Sequence, residues 1–178
     1  MIETKDLPSI VPHRGKMLLL SRITGYNLEE CSLEAEYDIT ENCIFFDPAV
    51  DGVPSWVCFE CIAQAIAAFS GIRSREKDGK DEKCGKLPRI GFILSISKMQ
   101  VFLPVLKSDN TIIIKVKELD RTDLVFNFEG QVFLEGTKVL EGTLTVMETQ
   151  AAQAAIISTS LSSTTEGSYA AEETINEN

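Results

Sequence analysis

The chain alternates between short strand-like stretches and one long, nearly unbroken apolar run. Residues 17–23 and 32–39 read as strands, and the polar Asn27, Glu29 and Glu30 between them predict an antiparallel pair. The pattern then changes. Residues 54–72, PSWVCFECIAQAIAAFSGI, are rich in alanine and contain a single charged residue, Glu60. Pro54 suits a first helical position and Gly71 a helix close. A helix that is apolar on nearly every side must be wrapped by other elements. After a polar loop over residues 74–86, four more strands are expected at 90–102, 111–117, 124–133 and 138–147. Turn formers separate them at Ser108-Asp109-Asn110, Asp120 to Asp123 and Glu135-Gly136. Two strands, a buried helix and four strands predict an α+β domain, with a curved antiparallel sheet of about six strands around one long helix.

From residue 149 the composition turns to Ala, Ser, Thr and Glu with little to bury, apart from a short helix expected over 151–157. The reading is a domain over residues 1–148 and a low-complexity, disordered tail over 149–178, which suits a chain of 178 residues. No apolar run reaches the roughly 18 residues of a membrane span, so none is expected. The first seven residues carry Glu3, Lys5 and Asp6 with no apolar stretch behind a basic start, which argues against a secretory signal and for a cytoplasmic protein. Five irregularly spaced cysteines fit reduced thiols better than a disulfide framework. A formal charge of -10 excludes a nucleic-acid binder, whose partner demands a basic surface.

Three sets of residues carry a family resemblance. VPHRGKMLLLSRI near the N-terminus, GVPSWVCFECIAQAIAAFSG on the helix, and GFILSISKMQVFLPV with DNTIIIKV in the later strands together resemble the hot-dog fold 3-hydroxyacyl-acyl carrier protein dehydratases. The likeness spans about residues 7–147 and looks closest to the branch associated with aryl polyene pathways. It implies a hot-dog fold and dehydration of a 3-hydroxyacyl thioester, held on an acyl carrier protein, to the trans-2-enoyl thioester. It also implies no cofactor and a homodimer with its active site at the subunit seam. An acidic carrier would need a local basic patch, for which Arg14, Lys16, Arg22, Arg89 and Lys98 are candidates.

One departure matters. Better-known members carry a Gly-His-Phe-Pro motif before the helix, which supplies the catalytic histidine to an acid on the helix of the other subunit. The matching stretch here, Phe45 to Gly52, has no histidine, and Ser55 replaces the usual glycine after Pro54. The helix acid carries over as Glu60, with Gln64 after it. The resemblance places the segment of His13, the chain's one histidine, beside the acyl channel, so His13 is the expected stand-in and Asp47 the reserve.

The residues themselves support these roles. Apolar neighbours Phe59, Cys61 and Ile62 disfavour ionisation of a lone carboxyl such as Glu60, which suits a general acid; its bland alternative is an ion pair with Arg73 or Arg89. Histidine titrates near working pH and can take a proton activated by a thioester. Free amides at Pro54-Ser55-Trp56 offer an oxyanion site, and Gln64, one turn beyond Glu60, can aim the carboxyl. Cys58 and Cys61 spell C-x-x-C, but with one histidine and no second pair the set is incomplete for zinc, and no metal is expected. Two other readings remain open: a hot-dog thioesterase driven by Glu60, and a non-catalytic subunit that completes a heterodimer with a paralogue.

Overall fold

The computed structural model describes residues 1–78 and 89–150. The main sheet has seven strands: β1 (Ile2–Glu3), β2 (Arg22–Asn27), β3 (Ser32–Asp38), β7 (Thr111–Thr122), β8 (Val125–Leu134), β9 (Thr137–Gln150) and β5 (Arg89–Val101), in that spatial order. All neighbours are antiparallel. A separate two-stranded ladder joins β4 (Val53–Pro54) to β6 (Val105–Leu106). Helix α1 (Cys58–Asp78), entered through a 3-10 turn at Ser55–Val57, lies in the curve of the sheet.

Alternation explains the wrap. Leu33, Ala35 and Tyr37 of β3, Ile112, Ile114 and Val116 of β7, Phe126, Phe128 and Val132 of β8, and Leu140, Leu144 and Val146 of β9 form one core with Ile62, Ala65, Ile66 and Phe69 of α1. Every second strand residue thus meets the helix. Phe69 and Phe128 pack edge to face at 6.2 Å. Each such side chain contributes about 1.5–3 kcal/mol when fully buried, so the helix and sheet stabilise one another more than either could alone. Ser55–Glu76 is long and apolar enough to cross a membrane by length and composition, contrary to the expectation of no such segment. Of its most apolar 18-residue window, 67% is buried inside the domain, as befits a core helix.

Four boundaries differ from the sequence reading, each for a local reason. The first long strand starts at Arg22, not residue 17, because residues 17 and 19 bond to Gln64 of α1 and are drawn off the sheet. Pro54 belongs to the β4–β6 ladder and caps the 3-10 turn instead of starting the helix. Gly71 does not close α1, which runs on to Asp78 and takes Ser74 to Asp78 from the expected loop. Arg73 lies between the rings of Phe69 and Phe126 and pairs with Glu118 and Glu148, and these contacts hold the extra turns. Strands β7 and β8 run through the expected turn at 120–123, with a bulge between Glu118 and Asp120, and reverse only at Asp123 and Leu124. The short β1 and the small ladder add to the six strands expected. Strand β9 continues to Gln150, past the expected domain end, and the expected tail beyond it lies outside the described residues, as does the helix at 151–157.

Gly71 is required by a close approach. A Cβ there would stand 2.5 Å from the Ile10 carbonyl oxygen, a main-chain atom held by its own 3-10 turn. Gly130 likewise admits Ile62 of α1 against β8. Gly71→Ala is expected to lower the urea midpoint, because a clash worth about 1–3 kcal/mol exceeds the roughly 1 kcal/mol gained in helix propensity.

Candidate active site

The site forms where the N-terminal segment crosses the start of α1. Gln64, wholly buried, is the hub: its Oε1 accepts from the Leu19 amide at 2.9 Å, and its Nε2 donates to the Met17 carbonyl at 2.7 Å and to Glu60 Oε1 at 2.9 Å. The i,i+4 spacing puts Glu60 and Gln64 on one side of the helix. The crossing segment, pinned by Gln64, carries His13, whose Nε2 stands 3.3 Å from the same Glu60 oxygen. Arg14 steadies the approach by donating to the Val11 and His13 carbonyls.

Glu60 is not the dry carboxyl that its neighbours suggest. Its side chain is 31% exposed and that of His13 26% exposed, so the pair is half-buried. The apolar neighbours Phe59, Cys61 and Ile62 are buried on other sides of the helix, while Glu60 shares a half-buried stripe with the small Ala63 and Ala67. Arg73 faces Glu118 and Glu148 rather than Glu60. His13 Nδ1 is buried and has no hydrogen-bond partner.

The remaining candidates divide. Ser55 is 0% exposed; its amide donates to the Pro104 carbonyl at 2.9 Å, and its hydroxyl has no partner. Trp56 is 56% exposed, edge-on to Phe45 at 6.1 Å. Asp47 lies in an exposed turn, where its carboxylate accepts from the Ala49 amide and its backbone pairs with Gly52. Those bonds account for Asp47 as a turn former, and none of them reaches His13 or Glu60. Among the expected basic residues, Arg22 is bound to Glu36 and Asp38, whereas Arg14 and Lys16 are exposed on either side of Gly15.

Burial pushes the Cys58 thiol up to about 12 and the Cys61 thiol well above its usual value, so neither is a ready thiolate or metal ligand at neutral pH. Among the described residues no group of His, Cys, Asp and Glu is placed to hold a metal ion. A groove of about 450 Å³, lined by Tyr26, Glu34, Lys115, Glu129 and Gln131 among others, opens on the sheet face turned away from α1. It is open and lined by none of His13, Glu60 and Gln64; the side-chain geometry, not this groove, marks the site.

The model of the ApeP-like family, described as ApeP dehydratase, matches residues 5–157. The chain belongs to the ApeP-like dehydratase family. Its sequence is also 28% identical over 152 residues to the 3-hydroxyacyl-[acyl-carrier-protein] dehydratase FabZ of Wolinella succinogenes, covering 83% of this chain and 95% of that one. In structure it is similar to the dehydratase heterocomplex ApeI:P from Xenorhabdus doucetiae, with a TM-score of 0.73 and 18% identity over 85% of this chain and 95% of that one. A hypothetical thioesterase from Streptococcus pneumoniae, solved with coenzyme A, shares the fold at a TM-score of 0.53 and 13% identity, covering 82% and 96% of the two chains. The fold is therefore the hot-dog fold of this dehydratase family, and fold alone does not separate dehydration from thioester hydrolysis.

The chain's only histidine was legible through the resemblance; the unpartnered Ser55 hydroxyl was not, since no sequence signal reports whether a serine finds a partner. The buried Gln64 gives a testable consequence. Gln64→Leu keeps the volume but strands the Leu19 amide and the Met17 carbonyl, at about 1–3 kcal/mol for each group left unsatisfied. Chemical denaturation is expected to show a loss of that size, and a midpoint equal to wild type would exclude the clamp.

Proposed function

We propose that this chain dehydrates a 3-hydroxyacyl thioester carried on an acyl carrier protein, using His13 and Glu60 of one subunit as the proton-transfer pair. The observation that carries the reading is the 3.3 Å contact between His13 Nε2 and Glu60 Oε1, next to a bare and buried Nδ1. A neutral imidazole with its proton on Nε2, toward the carboxyl, offers a lone pair at Nδ1. That nitrogen takes the α-proton of the thioester. The electron pair moves into the carbonyl and returns to expel the 3-hydroxyl, to which Glu60 delivers a proton, so that water leaves. The close His13–Glu60 contact lets the Nε2 proton pass to the carboxylate, and proton exchange with water returns the ring from the Nδ1–H to the Nε2–H tautomer before the next turnover.

The family and the FabZ relatives support the dehydratase class. Gln64 supports its geometry, because three hydrogen bonds fix the carboxyl and the segment bearing His13 together. Arg14 and Lys16, exposed beside His13, are suited to meet an acidic carrier. Trp56 and Phe45, at the start of the helix, are suited to line the acyl path, with Asp47 holding the turn beside them.

A second subunit fits strand β5. Among the described residues it lies at the end of the sheet, paired only with β9, and exposes Phe92, Ile93, Leu94, Ile96 and Met99, which are apolar on both faces. An uncovered apolar edge of that length is suited to another chain. That partner is a second copy, or, as the ApeI:P heterocomplex suggests by analogy, a paralogous dehydratase subunit. A thioesterase reading, with Glu60 activating water, leaves His13 without a task and is the weaker one.

Intact-mass analysis of a 3-hydroxyacyl carrier substrate tests the reading. Loss of one water is expected with the wild-type chain, and His13→Ala or Glu60→Gln should each slow it by about 10²–10⁴-fold while leaving the fold intact. Release of free acid would replace dehydration by hydrolysis, and wild-type turnover by His13→Ala would remove histidine from the mechanism.

A further inference from the structure

We propose that the side-chain hydroxyl of Ser55, and not a main-chain amide at that position, is the hydrogen-bond donor to the thioester carbonyl oxygen, which makes Ser55 a third catalytic group. The proposal rests on the dehydratase reading above and assigns the oxygen's partner within it.

Two independent observations carry it. First, the Ser55 amide is already spent: it donates to the Pro104 carbonyl at 2.9 Å, in line with the ladder that pairs Pro54 with Val105. The first amide of this helix entry therefore cannot turn to a substrate without breaking that link. Second, the Ser55 hydroxyl, on a side chain with no solvent exposure, makes no hydrogen bond. A buried hydroxyl without a partner is costly and uncommon, and such groups call for a reason.

The chemistry supplies the reason. Ser55 precedes Glu60 by little more than one helical turn, at the positive end of α1. Removal of the α-proton develops negative charge on the thioester oxygen, and a hydroxyl with no competing bond can donate to that oxygen without first breaking an interaction of its own. Hydrogen bonds from O–H to an anionic oxygen are short and strong, and a dry setting strengthens them further. The two buried side-chain polar atoms without partners among the described residues, Ser55 Oγ and His13 Nδ1, thus have complementary tasks: one donates to the oxygen, the other accepts the proton.

The test uses the full chain with a saturated acyl thioester on the carrier, ¹³C-labelled at the carbonyl and lacking the 3-hydroxyl so that it cannot react. Infrared difference spectra are expected to show a lowered carbonyl stretch in wild type, little shift with Ser55→Ala, and an intermediate one with Ser55→Cys, which keeps the size but weakens the donor. Dehydration of the 3-hydroxyacyl substrate by Ser55→Ala should fall by about 10²-fold in kcat with KM nearly unchanged. Its melting temperature should equal or exceed that of wild type, since an unsatisfied group has been removed. An unshifted carbonyl in wild type, a full shift in Ser55→Ala, or a lowered melting temperature with undiminished kcat would overturn the proposal. If wild type removes no water yet Ser55 still governs the carbonyl stretch, the dehydratase reading fails and the donor assignment stands.

Discussion

The buried amide of Gln64 ties the N-terminal segment to the central helix at the level of Glu60. It sits on the central helix, yet two of its three hydrogen bonds go to main-chain groups of the N-terminal segment, and the third goes to Glu60. An amide with no exposure must satisfy its oxygen and nitrogen inside the protein, so the segment around Met17 and Leu19 is obliged to lie across the helix. That obligation brings His13 to the carboxyl.

The sheet supplies the other half of the constraint. Because β3, β7, β8 and β9 each turn alternate apolar residues toward α1, the helix is gripped along its length, its start included. Close contacts set its height: Gly71 passes the Ile10 carbonyl and Gly130 receives Ile62. The half-buried stripe of Glu60, Ala63 and Ala67 is what the sheet leaves open. A carboxyl at that boundary can accept hydrogen bonds from inside and still be reached from outside, which a proton donor to a substrate needs.

Much of this was legible in residue order. One charged residue in a greasy helix marked both the core element and Glu60, and strand alternation after residue 90 marked the sheet. Local patterns misled where a distant contact prevailed. Met17 to Leu20 read as strand because the bonds of Met17 and Leu19 to a glutamine far along the chain are not encoded nearby. Gly71 read as a stop, although its lack of a side chain serves a crossing rather than a cap. Glu60 read as dry because sequence neighbours on a helix point to different sides. His13 became a candidate only through resemblance, and the hydroxyl of Ser55 only through coordinates, since hydrogen-bond satisfaction depends on what surrounds a group in space.

Because the chain has a single histidine, its imidazole can be observed without ambiguity by two-bond ¹H–¹⁵N correlation near neutral pH. The account predicts one neutral tautomer in the wild-type protein, protonated at Nε2 toward Glu60 and bare at Nδ1, with that bias lost in Glu60→Ala. A ring protonated at Nδ1, or one whose signals match free imidazole with and without Glu60, would contradict the pairing on which the proposed chemistry stands.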